Sequence, residues 1–150
     1  INAYKSGQVL QMKIFQKQNS TLQNTVINSN NFTTIISVSV QGISNNSQFF
    51  VHFDCNSGVG GTGYDSFDSR LLLLNNNIDY PSLPVLSTKF IQFDSDNRFS
   101  NMVLFPISGA SNTEGAGTYS VIVQARRNTS DDDLRIFDDK FCLTVTEVQN

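Results

Sequence analysis

Ser47-Gln-Phe-Phe-Val-His-Phe-Asp-Cys-Asn-Ser-Gly-Val-Gly-Gly-Thr-Gly-Tyr64 is the stretch that decides the fold. Its first half alternates. Phe49, Val51, Phe53 and Cys55 fall on one side of an extended chain, and Phe50, His52 and Asp54 on the other. A period of two carried by aromatic and β-branched residues marks a strand of an antiparallel sheet. Phe at the head of both faces puts this strand near the middle of a sheet, one face in the core and the other partly covered. The second half, Gly58 to Gly63, holds four glycines in six residues. Glycine reaches positive φ at no steric cost, so this half reads as a loop at one end of the sheet.

Outward from the central strand the pattern persists. Gly7 to Gln16 reads as a strand with Leu10, Met12 and Ile14 on one face and Val9, Gln11, Lys13 and Phe15 on the other. Gln18 to Asn31 is polar, with a weak strand at Thr25-Val-Ile27. Phe32 to Gln41 alternates most cleanly and predicts Ile36, Val38 and Val40 inward, before Gly42 to Ser47 turns into the central strand. Arg70-Leu-Leu-Leu-Leu74 reads as a strand buried on both faces. Tyr80-Pro-Ser-Leu-Pro84 is an extended loop, because proline cannot donate to a ladder. Thr88 to Phe93 and Met102 to Ile107 read as strands around a hairpin-like Asp94-Ser-Asp-Asn97, followed by a long loop from Ser108 to Gly117. Gly117 to Arg126 is a strand with Tyr119, Val121, Val123 and Ala125 inward; Leu134-Arg-Ile-Phe137 pairs back, and Phe141 to Val148 closes the sheet.

No segment carries the helical period of about 3.6 residues, and nothing repeats at a fixed spacing, which excludes solenoids and propellers. The reading is an all-β protein, an antiparallel, jelly-roll-like β-sandwich of roughly eight to ten strands, with a single barrel as the alternative.

Composition agrees. Twelve Phe and no Trp, with only 15% charged residues, describe a β-protein whose exterior is built from Asn, Ser, Thr and Gln. The 150 residues make one domain, 1–150, long enough for a substantial core. A net charge of −3 supplies no basic face for nucleic acid and none for anionic membrane surfaces. No apolar run approaches the ~20 residues of a membrane-spanning helix. The start at Ile1, without a signal-like segment, reads as a mature or excised piece of something longer.

Chemistry is sparse. His52 is the only histidine and lies inside the central strand. Cys55, three residues on, alternates to the opposite face, so the two form no dyad within one strand. Cys55 and Cys142 belong to no Cys-x-x-Cys pair. They read as small buried hydrophobes, with one long-range disulfide as the alternative. Asp94 to Asn97, Asp131 to Asp133 and Asp138-Asp139 offer oxygen atoms, but none completes a calcium-loop pattern, so no metal and no cofactor is expected. The expectation is a non-enzymatic binding or structural module. Contact residues sit best on long loops held by a rigid sheet. Here these are Gly58 to Asp68, with Tyr64 and Phe67, and Asn75 to Pro84, with Tyr80. The alternative for the tyrosines is packing over the sandwich edge or between subunits.

The Phe surplus has its own consequence. Phe90, Phe93, Phe99 and Phe105 join Phe49, Phe50 and Phe53, more than the inner faces of a two-layer sandwich take up. An exposed apolar patch and a symmetric homo-oligomer are expected, against a thick monomeric core.

Four segments carry a resemblance. Gly7-Gln-Val-Leu-Gln11 is similar to the "G-x-V-L-Q" opening strand of the C-terminal head domains of bacteriophage tail-fibre and other virion-appendage proteins. Ser47-Gln-Phe-Phe-Val51 takes the place of their "S-K-I-L-V" strand, with Gln48 where Lys is usual. Gly117-Thr-Tyr-Ser-Val121 and Leu143-Thr-Val-Thr-Glu-Val148 resemble their late "T-T-Y-x-V" and final "L-x-x-x-E-V/I" strands. The order agrees along nearly the whole chain. The resemblance implies a virion β-sandwich, a homotrimer, acting as a fibre head or capsid decoration beside other virion proteins. It extends to attachment to a host receptor or glycan and implies no catalytic residues. A secreted adhesin or carbohydrate-binding module is the alternative function.

Overall fold

A computed structural model describes residues 4–16, 25–44, 46–59, 64–75, 78–80, 86–91, 97–106, 117–127, 134–136 and 141–150. Among them are eleven strands and no helix. The first sheet is built on β4 (Ser47–Val59), the strand that the alternating phenylalanines predict. One edge of β4 carries β11 (Cys142–Gln149), antiparallel from Gln149 opposite Ser47 to Cys142 opposite Asp54. The other edge carries β8 (Asn97–Pro106), with Phe105 opposite Phe49 and Asn97 opposite Ser57. Beyond β11 lies β1 (Val9–Gln16). The far end of β4 continues the sheet through β10 (Leu134–Ile136) to β2 (Thr25–Ile27).

The second sheet runs β3 (Thr33–Gln41), β9 (Thr118–Arg127), β5 (Tyr64–Asn75). The outer edge of β5 takes β7 (Leu86–Ile91) along Tyr64 to Ser69 and β6 (Ile78–Tyr80) along Leu73 to Asn75. Every pairing is antiparallel, and the architecture is a jelly-roll-like β-sandwich.

Alternation decides what is inside. Phe49, Val51, Phe53 and Cys55 of β4 and Leu143 and Val145 of β11 face Tyr119, Val121, Val123 and Ala125 of β9 and Leu71 and Leu73 of β5. Each large side chain removed from water stabilises the fold by about 1.5–3 kcal/mol. The sheets are joined ring to ring where Phe49 meets Tyr119, centroids 5.0 Å apart and tilted by 60°. Phe141, just before β11, stacks on Phe53 at 6.1 Å. The inward sets read from the sequence for β4 and β9 are those observed; in β3 Val40 is buried and Ile36 and Val38 are partly so, but Ile35, where the register shifts between Thr34 and Ile36, is buried as well.

One end of the core is polar. Glu147 lies on the inner face of β11 without exposed surface. Its carboxylate accepts the Ile43 N–H at 2.6 Å (Oε1) and 3.1 Å (Oε2), and Gln11 Nε2 donates to Oε1 at 3.3 Å. The carboxylate therefore pins the turn between β3 and β4 onto the end of the first sheet. Beside it, the Gly7 N–H donates to the Gln149 carbonyl at 2.8 Å, and the Gln149 N–H donates to that of Gln8 at 2.9 Å. This clamp turns the chain at Gly7, whose φ of 81° is the left-handed region that glycine enters without strain.

Four expectations are corrected. The glycine loop is shorter than Gly58 to Asp68, because β4 runs through Gly58 to Val59 and β5 starts at Tyr64. Cross-strand pairing to β10 and β7 holds both ends extended despite the glycine and serine content. β7 and β8 form no hairpin; they pair with β5 and β4 in different sheets. β10 does not pair back on β9 but crosses to the first sheet. Leu72 and Leu74 are half-buried rather than buried like Leu71 and Leu73, because among the described residues no further layer covers the outer face of β5.

Candidate interaction surfaces

The outward positions of the first sheet form a four-strand array. Its central rows are Met12–Thr146–Phe50–Leu104 and Ile14–Thr144–His52–Met102, each running β1, β11, β4, β8. In β1 the register shifts between Val9 and Gln11, which brings Val9 to the same face opposite Val148. A bulge of this kind re-aims a side chain by adding one unpaired residue. Met12, Ile14 and Met102 are 57%, 61% and 67% exposed, so among the described residues no layer covers this face. Phe50 and Leu104 are also exposed, and Val9 projects beside them. A last row, Gln16–Cys142–Asp54–Ser100, ends the array. None of these positions is Lys or Arg; Lys13 belongs to the opposite face, beside Val145.

The outer face of the second sheet carries a polar cluster beside half-buried Leu72, Leu74 and Ile122. Phe32, at the entrance to β3, has the Arg70 guanidinium 4.0 Å and the Arg126 guanidinium 4.4 Å from its ring centroid. Arg70 Nε donates to Gln124 Oε1 at 2.8 Å, and Gln124 Nε2 donates to Thr34 Oγ1 at 3.1 Å, a ladder across β5, β9 and β3. Arg126 Nε pairs with Asp68 Oδ2 at 2.9 Å, its cross-strand neighbour. Holding each guanidinium by Nε leaves its outer edge directed away from these partners, a geometry suited to a carboxylate or sulfate. These six residues are scattered along the chain, and only the strand order β3–β9–β5 makes them neighbours. Their sequence signal is limited to outward positions on alternating strands.

The residues singled out in the sequence separate. Phe67 is fully buried on the inner face of β5, in line with Ser69, Leu71 and Leu73, and is a core residue rather than a loop contact. Extending the period of two upstream from Leu71 would have found it. Tyr64 opens β5 opposite Ile91, and Tyr80 closes β6 opposite Leu73. They stand at strand ends beside residues 60–63 and 81–85, which lie outside the described residues, as do the side chains of Tyr64 and Tyr80. His52 is on the outer face of β4 and Cys55 on the inner, so the strand itself separates them. Cys55 is buried, whereas Cys142 is half-buried on the outer face, and no disulfide joins them. Of the Phe surplus, Phe49, Phe53 and Phe105 are core and Phe50 is exposed; the side chains of Phe90, Phe93 and Phe99 lie outside the described residues. The exposed apolar face exists, but methionine, isoleucine and leucine supply most of it. The acidic stretches 94–96, 131–133 and 138–139 also lie outside the described residues.

No protein-family model matches the chain, and no curated protein matches its sequence. Its fold does match solved structures from infectious bursal disease virus. The VP2 subviral particle of that virus aligns over 98% of this chain with a TM-score of 0.66 at 11% identity. The virus of the Gx strain aligns over 96% with a TM-score of 0.60 at 9% identity. The T13 viral particle aligns over 98% with a TM-score of 0.55 at 7% identity. The chain spans about a third of the length of these proteins, 34–37%. At such identities the likeness is one of fold.

Proposed function

We propose that this chain is a non-enzymatic β-sandwich module of a virus particle, carried on its surface as a fibre head or a capsid decoration. The observation that carries the reading is the fold match across 96–98% of the chain to proteins of virus particles. The sequence resemblance to virion-appendage heads points the same way. An uncovered apolar sheet face supports a role in assembly, since contiguous apolar patches of this kind mark interaction sites. The partners on this reading are further copies of the chain and other particle proteins, with residues 1–150 acting as one domain. The resemblance implies three copies, an expectation that the mass of the chain in solution tests against a two-fold pair. Host attachment, if the module performs it, falls to the loop ends marked by Tyr64 and Tyr80.

A second reading is a secreted adhesin or carbohydrate-binding module. The Arg70–Phe32–Arg126 cluster favours it, because two guanidinium groups beside one aromatic ring suit an acidic sugar.

Mass spectrometry and immunogold labelling of purified particles test the choice. Stoichiometric presence on particles is expected. The chain found only in particle-free medium, with specific binding on a glycan array, would replace the first reading by the second.

A further inference from the structure

We propose that the outer face of the first sheet is a two-fold interface, closed by the same face of a second copy of this chain. The pairing does not depend on the virus-particle reading.

The argument begins with self-complementarity. A two-fold axis parallel to the strands, midway between β11 and β4, superimposes each row on its own reverse. Met12 then lies over Leu104 of the second copy and Thr146 over Phe50, and each contact recurs in the opposite sense. In the next row Ile14 lies over Met102 and Thr144 over His52, so the imidazole meets a hydroxyl. Bulky side chains face small ones in the middle of the interface, and long aliphatic ones meet at both edges. That alternation of sizes lets packed layers interdigitate. Two sheets packed face to face, about 10 Å apart and roughly aligned, are an ordinary sandwich geometry.

Charge permits the same pairing. The three rows hold no Lys or Arg, and Asp54 in the last row faces Cys142 of the second copy rather than another carboxylate. The two central rows carry no Asp, Glu, Lys or Arg; the charges of this face, Asp54 and the exposed Arg135 of β10, stand towards one end of the sheet, so a second copy meets a neutral centre with a neutral centre.

Size is sufficient. Four strands about 4.8 Å apart, over about eight residues rising ~3.3 Å each, cover roughly 500 Å² before side-chain relief is counted. Relief and flanking residues bring this towards the ~800 Å² per partner of a standard stable interface.

Symmetry distinguishes a pair from a ring. A three-fold ring needs two different complementary patches on each subunit, whereas a self-complementary patch closes with one partner. Among the described residues the outer face of the other sheet sets half-buried Leu72, Leu74 and Ile122 among Ser37, Ser39, Gln41, Gln124, Arg70 and Arg126, and none of its large apolar side chains is exposed like Met12, Ile14 and Met102.

The test combines sedimentation equilibrium with thiol labelling on the 150-residue chain. At micromolar concentration the mass should be twice the monomer's 16.7 kDa. The double variant Ile14→Glu/Met102→Glu should raise the dissociation constant by at least about tenfold, a loss of ~1.4 kcal/mol. Both side chains are mostly exposed in the monomer, so folding should be unaffected, and a circular dichroism spectrum checks it. The control Ser37→Glu, on the other sheet, should leave the dimer intact. Cys142 lies within the interface, so its labelling should slow as concentration rises and recover in the double variant, while buried Cys55 stays unlabelled throughout. A monomer at tens of micromolar, a mass three times the monomer's, or a dimer indifferent to the double variant would each overturn the proposal.

Discussion

Replacing Glu147 by Ala should cost more than any other single polar substitution on β11. The carboxylate has no exposed surface and receives the Ile43 N–H at 2.6 Å and Gln11 Nε2 at 3.3 Å. Truncation removes a charged acceptor and leaves a part-buried backbone N–H without it. Bonds to charged groups contribute about 1.5–3 kcal/mol, and an orphaned buried donor costs about 1–3 kcal/mol. The two figures describe overlapping losses, so the expected total is roughly 2–4 kcal/mol rather than their sum. For a domain of this size each kcal/mol lowers Tm by about 2–4 °C, which gives a drop of roughly 4–16 °C. Glu147→Gln keeps one carbonyl oxygen in place and should lose less than half as much. With four Tyr and no Trp in the chain, urea unfolding is best followed by circular dichroism, supported by amide hydrogen exchange at Ile43. Faster exchange at Ile43 should accompany the loss of stability. A Glu147→Ala stability within about 0.5 kcal/mol of the parent, the range of an ordinary surface change, would refute the reasoning. A Gln variant as damaged as the Ala variant would do the same.

Three further predictions follow from other parts of the molecule. Phe67→Ala should destabilise by about 3–5 kcal/mol in urea titrations, as expected of a phenylalanine removed from a core, and a loss below 1 kcal/mol would return Phe67 to the loop. Phe32→Ala removes the ring shared by Arg70 and Arg126 and should cost about 1–2 kcal/mol, with Phe32→Tyr near neutral in the same denaturation assay. Tyr64→Ala and Tyr80→Ala should reduce host-cell or receptor binding with the oligomer intact by light scattering. Unchanged binding in both, or loss of assembly first, would make them structural.

The strands were legible in the sequence because a period of two is a local property. Phe49, Val51, Phe53 and Cys55, or Tyr119 to Ala125, declare a buried face without reference to any other segment. The weak strand at Thr25 to Ile27 could be read in the same way. Partners were not legible. β7 and β8 follow one another like a hairpin yet enter different sheets, and β10 leaves its predecessor to join β4, because pairing is set by three-dimensional closure rather than by distance along the chain.

Alternation also cannot tell which face of a strand is covered. Met12 and Ile14 look like a core face on their own strand. They are exposed because the inward position opposite Glu147, Val145 and Leu143 falls to Gln11, Lys13 and Phe15 once β1 takes its register on β11. The guanidinium pair over Phe32 is still further from anything a sequence records, since it exists only where β3, β9 and β5 lie side by side. Local periodicity thus determined the all-β class and most inward sets. Register and strand order, which depend on contacts distant in the chain, decided which surfaces are left for a partner.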